Sequence, residues 1–171
     1  MIQNRFDVVI IGGGIIGLGT ALSIQKKQPK IKLAILEKDK SVGSQQSGHN
    51  SGVIHSGIYY KPGSLKAKFC VEGRASMAEF CIKNNLKFEK CGKIIVAFHE
   101  EEIPRLETLM ERGKANKVEG LEIIEQERIR EIEPNIVGLK ALYAPNTAIV
   151  DYSEVTKVYA QNAENNGATI F

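Results

Sequence analysis

One stretch, residues 6–38, constrains the fold of this chain more than any other. An apolar run of strand type, Asp7–Ile11, leads directly into the sequence Gly12-Gly13-Gly14-Ile15-Ile16-Gly17. Apolar residues at helical spacing follow until Pro29, and a second apolar run over residues 32–36 ends on Glu37. A strand, a helix and a second strand within about thirty residues predict a βαβ unit with parallel strands.

The glycines of this stretch have the G-x-G-x-x-G spacing, at Gly12, Gly14 and Gly17. Such glycines permit a tight turn, a close approach of the backbone to a pyrophosphate, and close packing of helix on strand. Glu37 follows the second strand, where a carboxylate accepts hydrogen bonds from a ribose and repels a 2′-phosphate. The pattern predicts a Rossmann-type site for an adenine dinucleotide. The alternative is an ordinary βα turn with a surface glutamate.

Composition excludes several other classes of protein. The chain has 171 residues and a net charge of +3, which is enough for a sizeable core but too little charge to indicate nucleic-acid binding. No apolar segment reaches membrane-spanning length, so we expect no transmembrane segment. The first strand begins so close to Met1 that no targeting peptide is expected. These features predict a cytoplasmic protein, with peripheral membrane attachment left open.

The three cysteines do not indicate a metal site or a disulfide framework. Cys70, Cys81 and Cys91 are an odd number and have no C-x-x-C spacing. Cys70 and Cys81 fall on one face of a predicted helix, where small buried apolar side chains are the simplest interpretation.

Residues 39–62 form a long segment without helical or strand periodicity. Glycines recur every few positions between small hydroxyl and amide side chains, and the segment also carries two histidines and a tyrosine pair. A long loop inside a compact domain is usually functional or disordered. The composition of this one predicts a backbone that wraps closely around a large polar ligand.

The remainder of the chain predicts further helices and strands. A helix over residues 63–84 is expected to bury Phe69, Cys70, Gly73, Met77, Phe80 and Cys81. The other predicted elements are a strand at Ile94–Ala97, helices at 100–113 and 126–132, strands at 139–143 and 148–150, a helix from Asp151 to before Gly167, and a third parallel strand at 168–171. Because a three-stranded parallel sheet leaves an exposed edge, we expect the front part of a larger protein. It would be a fragment, a truncated reading frame or one piece of a split enzyme.

Several motifs of the chain together resemble one known family. The motifs are Gly12–Gly17 with Glu37, Ser47–Tyr60, Pro62–Lys68, Cys91-Gly92-Lys93, Glu133-Pro134-Asn135, Gly138-Leu139 and Ile149–Tyr152. With these motifs the sequence is similar to the L-2-hydroxyglutarate oxidase/dehydrogenase family, within the D-amino-acid oxidase-like superfamily of FAD-dependent oxidoreductases. The resemblance covers nearly all of this chain and well under half of a typical member.

The resemblance implies the fold and the cofactor. It implies an α/β fold, with an FAD-binding domain at residues 1–87 and 151–171 and the start of an α+β substrate domain at 88–150. A C-terminal half, on the same or on another chain, would complete both domains. The cofactor would be FAD, and its expected binding residues are Gly12, Gly14, Gly17, Glu37, Lys38, Ser47, His49, Asn50, Ser51 and Gly52.

The implied reaction oxidises a 2-hydroxy acid, which requires a base for the hydroxyl proton and an acceptor for the hydride. His55 and His49 are the candidate bases, and the alternative interpretation is a structural role in which each ring hydrogen-bonds the loop backbone. A covalent bond between His49 and the flavin is a further alternative. The candidate substrate-binding residues are Tyr59, Tyr60, Lys66 and Lys93, with core aromatics and surface lysines as the alternative interpretation.

Three functions are therefore compatible with the sequence. The first is FAD-dependent oxidation of L-2-hydroxyglutarate to 2-oxoglutarate, with oxygen or a quinone as the electron acceptor. The second is another oxidase of the same superfamily, acting on an amine, an amino acid or glycerol phosphate. The third is a truncated, non-catalytic remnant of a nucleotide-binding protein, which binds a nucleotide poorly or not at all.

Overall fold

The computed structural model describes residues 5–171. In chain order its elements are β1 (Val8–Ile11), α1 (Ile15–Lys27), β2 (Leu33–Leu36), β3 (Val53–Ile54), α2 (Leu65–Lys83), β4 (Phe88–Glu89), β5 (Ile94–Ala97), a 3-10 turn (Glu100–Glu102), α3 (Ile103–Ala115), β6 (Glu122–Glu125), α4 (Gln126–Ile132), β7 (Lys140–Tyr143), β8 (Ala148–Val150), α5 (Tyr152–Asn165) and β9 (Thr169–Ile170). The described residues form two compact units. The first unit contains the residues up to Gly52 with Asn84–Leu86 and Asp151–Phe171, and the second contains Val53–Lys83 and Lys87–Val150.

The first unit is built on a parallel sheet in the order β1-β2-β9. Helices α1 and α5 supply the core that covers one face of this sheet. The α/β class and the three parallel strands are thereby confirmed. The buried core residues of this unit are Leu18, Ala21, Leu33, Ile35, Ala160, Ala163 and Ala168.

Both helices of the first unit begin and end as their sequences predict. Helix α1 starts after Gly14 and ends before Pro29, with Lys26 and Lys27 in its last turn, where cations are favourable. Helix α5 begins after Asp151, whose carboxylate accepts a hydrogen bond from the backbone N–H of Ser153 at 2.7 Å. The Asp151 side chain therefore caps the helix.

The second unit contains two antiparallel sheets, β3-β8-β4 and β5-β7-β6. Helix α3 packs on the second of these sheets, and its Pro104 lies in the first turn, where a missing N–H costs no hydrogen bond. The larger core of this unit is made by apolar side chains from the loop before α2, from α3 and from the second sheet. Its buried residues are Ile58, Ala97, Leu106, Leu109, Val118, Leu142 and Ala144.

Three strands were not predicted. Strand β6 was missed because only Ile123 and Ile124 are apolar in it, and the pairing of this segment with β7 makes it a strand. The two-residue strands β3, inside the predicted loop over residues 39–62, and β4 were also missed, and both pair with β8. In all three cases the hydrogen bonds come from a partner distant in sequence, which local periodicity does not report.

The predicted buried face of α2 is wrong in part. Cys81 is fully buried, and Cys70, Met77 and Phe80 are half-buried, but Gly73 is exposed and Phe69 is 61% exposed. The buried positions of this helix are Ala67 and Cys81. Apolar residues lie on all sides of α2, so the sequence does not define a single buried stripe.

The boundary between the two units differs from the predicted domain boundary at residues 53–83. These residues belong to the second unit because β3 pairs with β8, and because Cys70 of α2 donates a hydrogen bond to the carbonyl of His55. The division into an FAD domain and a substrate domain stays a prediction. Within residues 5–171 no helix combines the length and the apolar character that crossing a bilayer requires.

Gly17 and Gly19 provide a matched test of the packing between α1 and β1. A Cβ atom at Gly17 would overlap the carbonyl oxygen of Gly12, which is backbone and has no room to move. A Cβ atom at Gly19 would lie 3.5 Å from the Tyr159 ring, an ordinary contact. We expect Gly17→Ala to lower the free energy of unfolding by about 2–3 kcal/mol. We expect Gly19→Ala to raise it by about 0.5–1 kcal/mol through helix propensity.

Urea denaturation followed by circular dichroism measures both changes. Equal effects of the two substitutions would contradict the close approach of α1 to the turn after β1.

Candidate functional site

The turn from β1 into α1 brings several backbone groups together. Gly12 has φ +104°, a backbone conformation that residues with a side chain rarely adopt. Its N–H donates a hydrogen bond to the carbonyl of Leu36 at 2.8 Å. Gly43 N–H donates to the carbonyl of Gly13 at 3.1 Å, so the loop after β2 lies against this turn. The turn therefore presents the first N–H groups of α1 at the carboxyl end of the parallel sheet, where anions bind.

Glu37 lies at the same end of the sheet. Its Oε2 accepts a hydrogen bond from the Gly13 N–H at 2.7 Å, and its Oε1 accepts one from the Asp39 N–H at 2.9 Å. The side chain is half-buried and held by both contacts. The carboxylate is thus oriented beside the glycine turn. Lys38, the next residue, is 76% exposed, and its ammonium lies 3.7 Å from Asp39 instead.

Ser47 also lies at this helix start. Its Oγ accepts a hydrogen bond from the Ile15 N–H at 3.0 Å, and a Cβ atom at Gly14 would lie 3.2 Å from that oxygen. Gly14 itself precedes α1 and offers no side-chain cap. Ser47 accepts the N–H bond through a lone pair, so its hydroxyl proton is left for a second acceptor. The hydroxyl and the helix N–H groups together suit a phosphate oxygen.

The rest of the predicted cofactor loop is shaped by its own side chains. His49 Nδ1 lies 2.9 Å from the carbonyl of Gln45, which favours the tautomer with a proton on Nδ1 and a lone pair on Nε2. Asn50 donates to the carbonyls of Gln46 and Ser47 and accepts from the Gly52 N–H at 2.8 Å. Asn50 therefore stabilises the turn, and Ser51 beside it is exposed.

In the second unit, a short segment fixes the position of Lys93. The Gly92 N–H donates to the carbonyl of Thr147, while Lys93 and Ala144 exchange two backbone hydrogen bonds. A Cβ atom at Gly92 would lie 2.9 Å from the Tyr143 ring, and Gly92 has φ +74°. The backbone of Lys93 is thus held on the turn after β7, and its Nζ lies 4.7 Å from the centroid of the Tyr59 ring.

His55 belongs to the same group of residues. Its backbone carbonyl accepts a hydrogen bond from Cys70 Sγ at 3.2 Å, which ties it to α2. Partial burial of the imidazole, and secondarily the Lys93 ammonium, lower the pKa of His55 below its usual value of 6.5. His55 is nevertheless an exposed residue. Both effects favour the neutral imidazole, the form that can accept a proton.

The structure brings together only some of the predicted substrate residues. Tyr59 contacts Lys93, and Lys93 influences His55 electrostatically. Tyr60 is half-buried, and Lys66 lies in the exposed first turn of α2.

Sequence reasoning missed Asn116, which supports the segment containing these tyrosines. The side chain of Asn116 is buried and donates to the carbonyls of Gly57 and Tyr60 at 2.9 and 2.8 Å. Its only sequence signal is an asparagine at the end of a helix, which is common and does not distinguish a buried anchor from an exposed cap.

Comparison with known proteins adds a family match. Residues 7–171 match the family described as FAD dependent oxidoreductase. Among solved structures, the FAD-bound L-α-glycerophosphate oxidase of Mycoplasma pneumoniae is similar with a TM-score of 0.84 and 31% identity, over 97% of this chain and 44% of that one. A glycine oxidase from Bacillus cereus is similar with a TM-score of 0.79 and 29% identity, over 98% and 46%.

Similarity in sequence is higher to two proteins named L-2-hydroxyglutarate dehydrogenase. The mitochondrial protein of Homo sapiens is 49% identical over 98% of this chain and 36% of its own length. The protein of Indibacter alkaliphilus is 47% identical over 97% of this chain and 42% of its own length. The chain thus spans less than half the length of these relatives. The predicted family resemblance is confirmed, and FAD is the cofactor in the family description.

The predicted cytoplasmic location is wrong by the same comparison. Relatives from animals as different as Homo sapiens, Bos taurus and Caenorhabditis elegans are named mitochondrial. The prediction was drawn from the position of the first strand. An organelle address is carried by a separable peptide, and the folded residues do not record it.

The electrostatic effect of Lys93 on His55 is directly testable. Lys93→Met removes a cation that disfavours the imidazolium, so we expect the pKa of His55 to rise toward 6.5. Lys66→Met removes an exposed cation on α2 and is expected to leave this pKa unchanged. An NMR titration of the His55 ring protons measures both. An unchanged His55 pKa in Lys93→Met would contradict the interaction.

Proposed function

Since this chain belongs to the FAD dependent oxidoreductase family, we propose that it forms the cofactor-binding part and part of the substrate site of an enzyme that oxidises a 2-hydroxy acid. The proposed reaction converts L-2-hydroxyglutarate to 2-oxoglutarate. The hydroxyl proton passes to a base of the protein, and bound FAD would accept the hydride from C2.

The observation that carries this proposal is the arrangement at the start of α1. The helix N–H groups and the hydroxyl of Ser47 lie where a diphosphate would bind, and Glu37 is held beside them through Gly13. No side chain at Gly14 obstructs the approach of phosphate oxygens. The residues present therefore fit the ADP portion of FAD, with Glu37 as the acceptor for its ribose hydroxyls.

We assign the base to His55 because its environment favours the neutral imidazole, which can accept a proton. Partial burial and the Lys93 ammonium both disfavour the imidazolium. A substrate carboxylate bound at Lys93 would offset that repulsion and so favour the protonated ring after proton transfer. The same pair of residues would then bind the substrate and hold the proton that the reaction releases.

A dicarboxylate also requires more than one cationic or hydroxyl partner. Lys93 is held over the Tyr59 ring and is the best-positioned cation in this group. Tyr59 is 40% exposed, so its ring and hydroxyl are accessible. We propose Lys93 and Tyr59 as carboxylate-binding residues, with Tyr60 and Lys66 as additional candidates from the sequence.

The choice of L-2-hydroxyglutarate is supported by the named relatives. Identities of 47–51% to L-2-hydroxyglutarate dehydrogenases exceed the 31% and 29% found for the glycerophosphate and glycine oxidases. The remaining part of the enzyme is proposed to be supplied by sequence outside these 171 residues, on the same or on another polypeptide.

The adenosine half of FAD provides a selective test of Glu37. We expect Glu37→Ala to weaken FAD binding by the chain at least tenfold, because charge-assisted hydrogen bonds contribute about 1.5–3 kcal/mol. FMN lacks the adenosine, so its affinity is expected to stay the same in this variant. Flavin fluorescence titration of the 171-residue protein measures both affinities.

Two results would contradict the role of Glu37 at the ribose. One is an unchanged FAD affinity in Glu37→Ala, and the other is an equal loss for FMN and FAD. A chain that binds neither flavin would instead support the non-catalytic remnant.

The reaction is testable in a chimera in which this chain replaces the matching segment of the Indibacter alkaliphilus relative. We expect anaerobic L-2-hydroxyglutarate to bleach the flavin of this chimera. His55→Ala should slow the bleaching by about 10²–10⁴-fold, the usual contribution of a general base, while His49→Ala should stay within severalfold of the unmodified chimera.

The chimera also separates the competing functions. Bleaching by glycine or glycerol 3-phosphate, and not by the hydroxy acid, would favour the second class of oxidase. If bleaching is slowed in His49→Ala and not in His55→Ala, His49 is the base.

A further inference from the structure

A cavity with no assigned role lies in the second unit, between α2 and the sheet β3-β8-β4. Its volume is about 210 Å³, and a single water molecule needs only about 10–15 Å³. Ala75 and Ala78 of α2 and Ala148 of β8 line it, and their small side chains leave the space open. Ile54 and Phe88 complete an apolar wall. The cavity shares no residue with the group formed by His55, Tyr59 and Lys93.

The polar part of this cavity contains a guanidinium with one unpaired nitrogen. Arg74 lines the cavity, and its Nη1 is buried without a hydrogen-bond partner in the described part of the chain. A buried guanidinium nitrogen without an acceptor is costly and rare in native structures. Lys90 lines the same space. Arg74 and Lys90 therefore give the cavity a positively charged wall, which an anion from outside this part of the chain would neutralise.

The charges of the lining select the kind of acceptor. Arg74 and Lys90 contribute two positive charges and Glu119 one negative charge, so the lining carries a net charge of about +1. The remaining polar residue is Asn146, whose Nδ2 already donates to the backbone carbonyl of Glu119 at 3.1 Å. A single negative charge therefore matches the site better than a dianion.

We propose that this cavity binds a small monocarboxylic acid with a short aliphatic body. The carboxylate accepts hydrogen bonds from the planar fork of Arg74 and lies within reach of Lys90. The aliphatic part packs among Ile54, Phe88 and the three alanines. This site is separate from the proposed function, because it involves neither the glycine turn at α1 nor His55.

The test uses the 171-residue protein and 3-methylbutanoate as the probe, followed by ¹H–¹⁵N NMR. We expect saturable shifts of the backbone amides of Ala75, Lys90 and Ala148, with a Kd on the order of 1 mM. The neutral isostere 3-methylbutanamide should bind at least tenfold more weakly. Inorganic phosphate should also bind more weakly, because it buries no apolar surface.

Arg74→Gln is expected to weaken 3-methylbutanoate binding at least tenfold, and Lys90→Gln severalfold. Arg105→Gln is the matched control, since Arg105 is exposed on α3 and does not line the cavity. The NMR spectrum of each variant shows whether it is folded, and Lys90→Gln serves as the test if Arg74→Gln is not.

The outcomes decide the proposal directly. Absence of saturable shifts in the wild-type protein would overturn it, and so would equal affinity for the amide or tighter binding of phosphate. Equal binding by Arg74→Gln and Arg105→Gln would overturn it as well. Because FAD binding is measured separately, failure here leaves the flavin proposal intact, and failure of the flavin proposal leaves this one intact.

Discussion

The close approach of Gly17 to the Gly12 carbonyl is the contact on which the first unit depends. It is a contact between backbones, so no side-chain adjustment can replace it. It places the start of α1 directly at the end of β1, where the helix N–H groups and the partial positive charge of its dipole are concentrated. Glu37 and Ser47, from two other segments, lie at the same helix start because they accept hydrogen bonds from the N–H groups of Gly13 and Ile15. A nucleotide-binding arrangement follows from one tightly packed turn.

In the second unit, the segment before α2 is held by groups from several elements. Cys70 anchors the carbonyl of His55, Asn116 anchors those of Gly57 and Tyr60, and β3 pairs with β8. Lys93 directly precedes β5 of the other antiparallel sheet, and backbone hydrogen bonds to the turn after β7 fix its position. An imidazole with a lowered pKa beside a lysine is the result, and it arises because independent backbone constraints place the two side chains in one group.

Local sequence information predicted the elements that local interactions form. Helix α4 and strand β8 have the predicted bounds, and the glycine turn with its two parallel strands was recognised from spacing alone. Strand β6 and the buried face of α2 were not predicted correctly, because pairing with β7 decides the first and tertiary packing decides the second. Asn116 could not be distinguished from an ordinary helix-end asparagine, since its role consists of two hydrogen bonds to residues more than fifty positions away.

By itself, the sequence determined the βαβ unit, the position of the acid after β2 and the family, because glycine spacing and apolar periodicity act over short distances along the chain. Only the tertiary structure decided that the Glu37 carboxylate is oriented by Gly13, that partial burial and Lys93 lower the pKa of His55, and that Nη1 of Arg74 is buried without a hydrogen-bond partner. Each of these is a property of distance and desolvation between groups far apart in sequence, and those quantities exist only once the chain has folded.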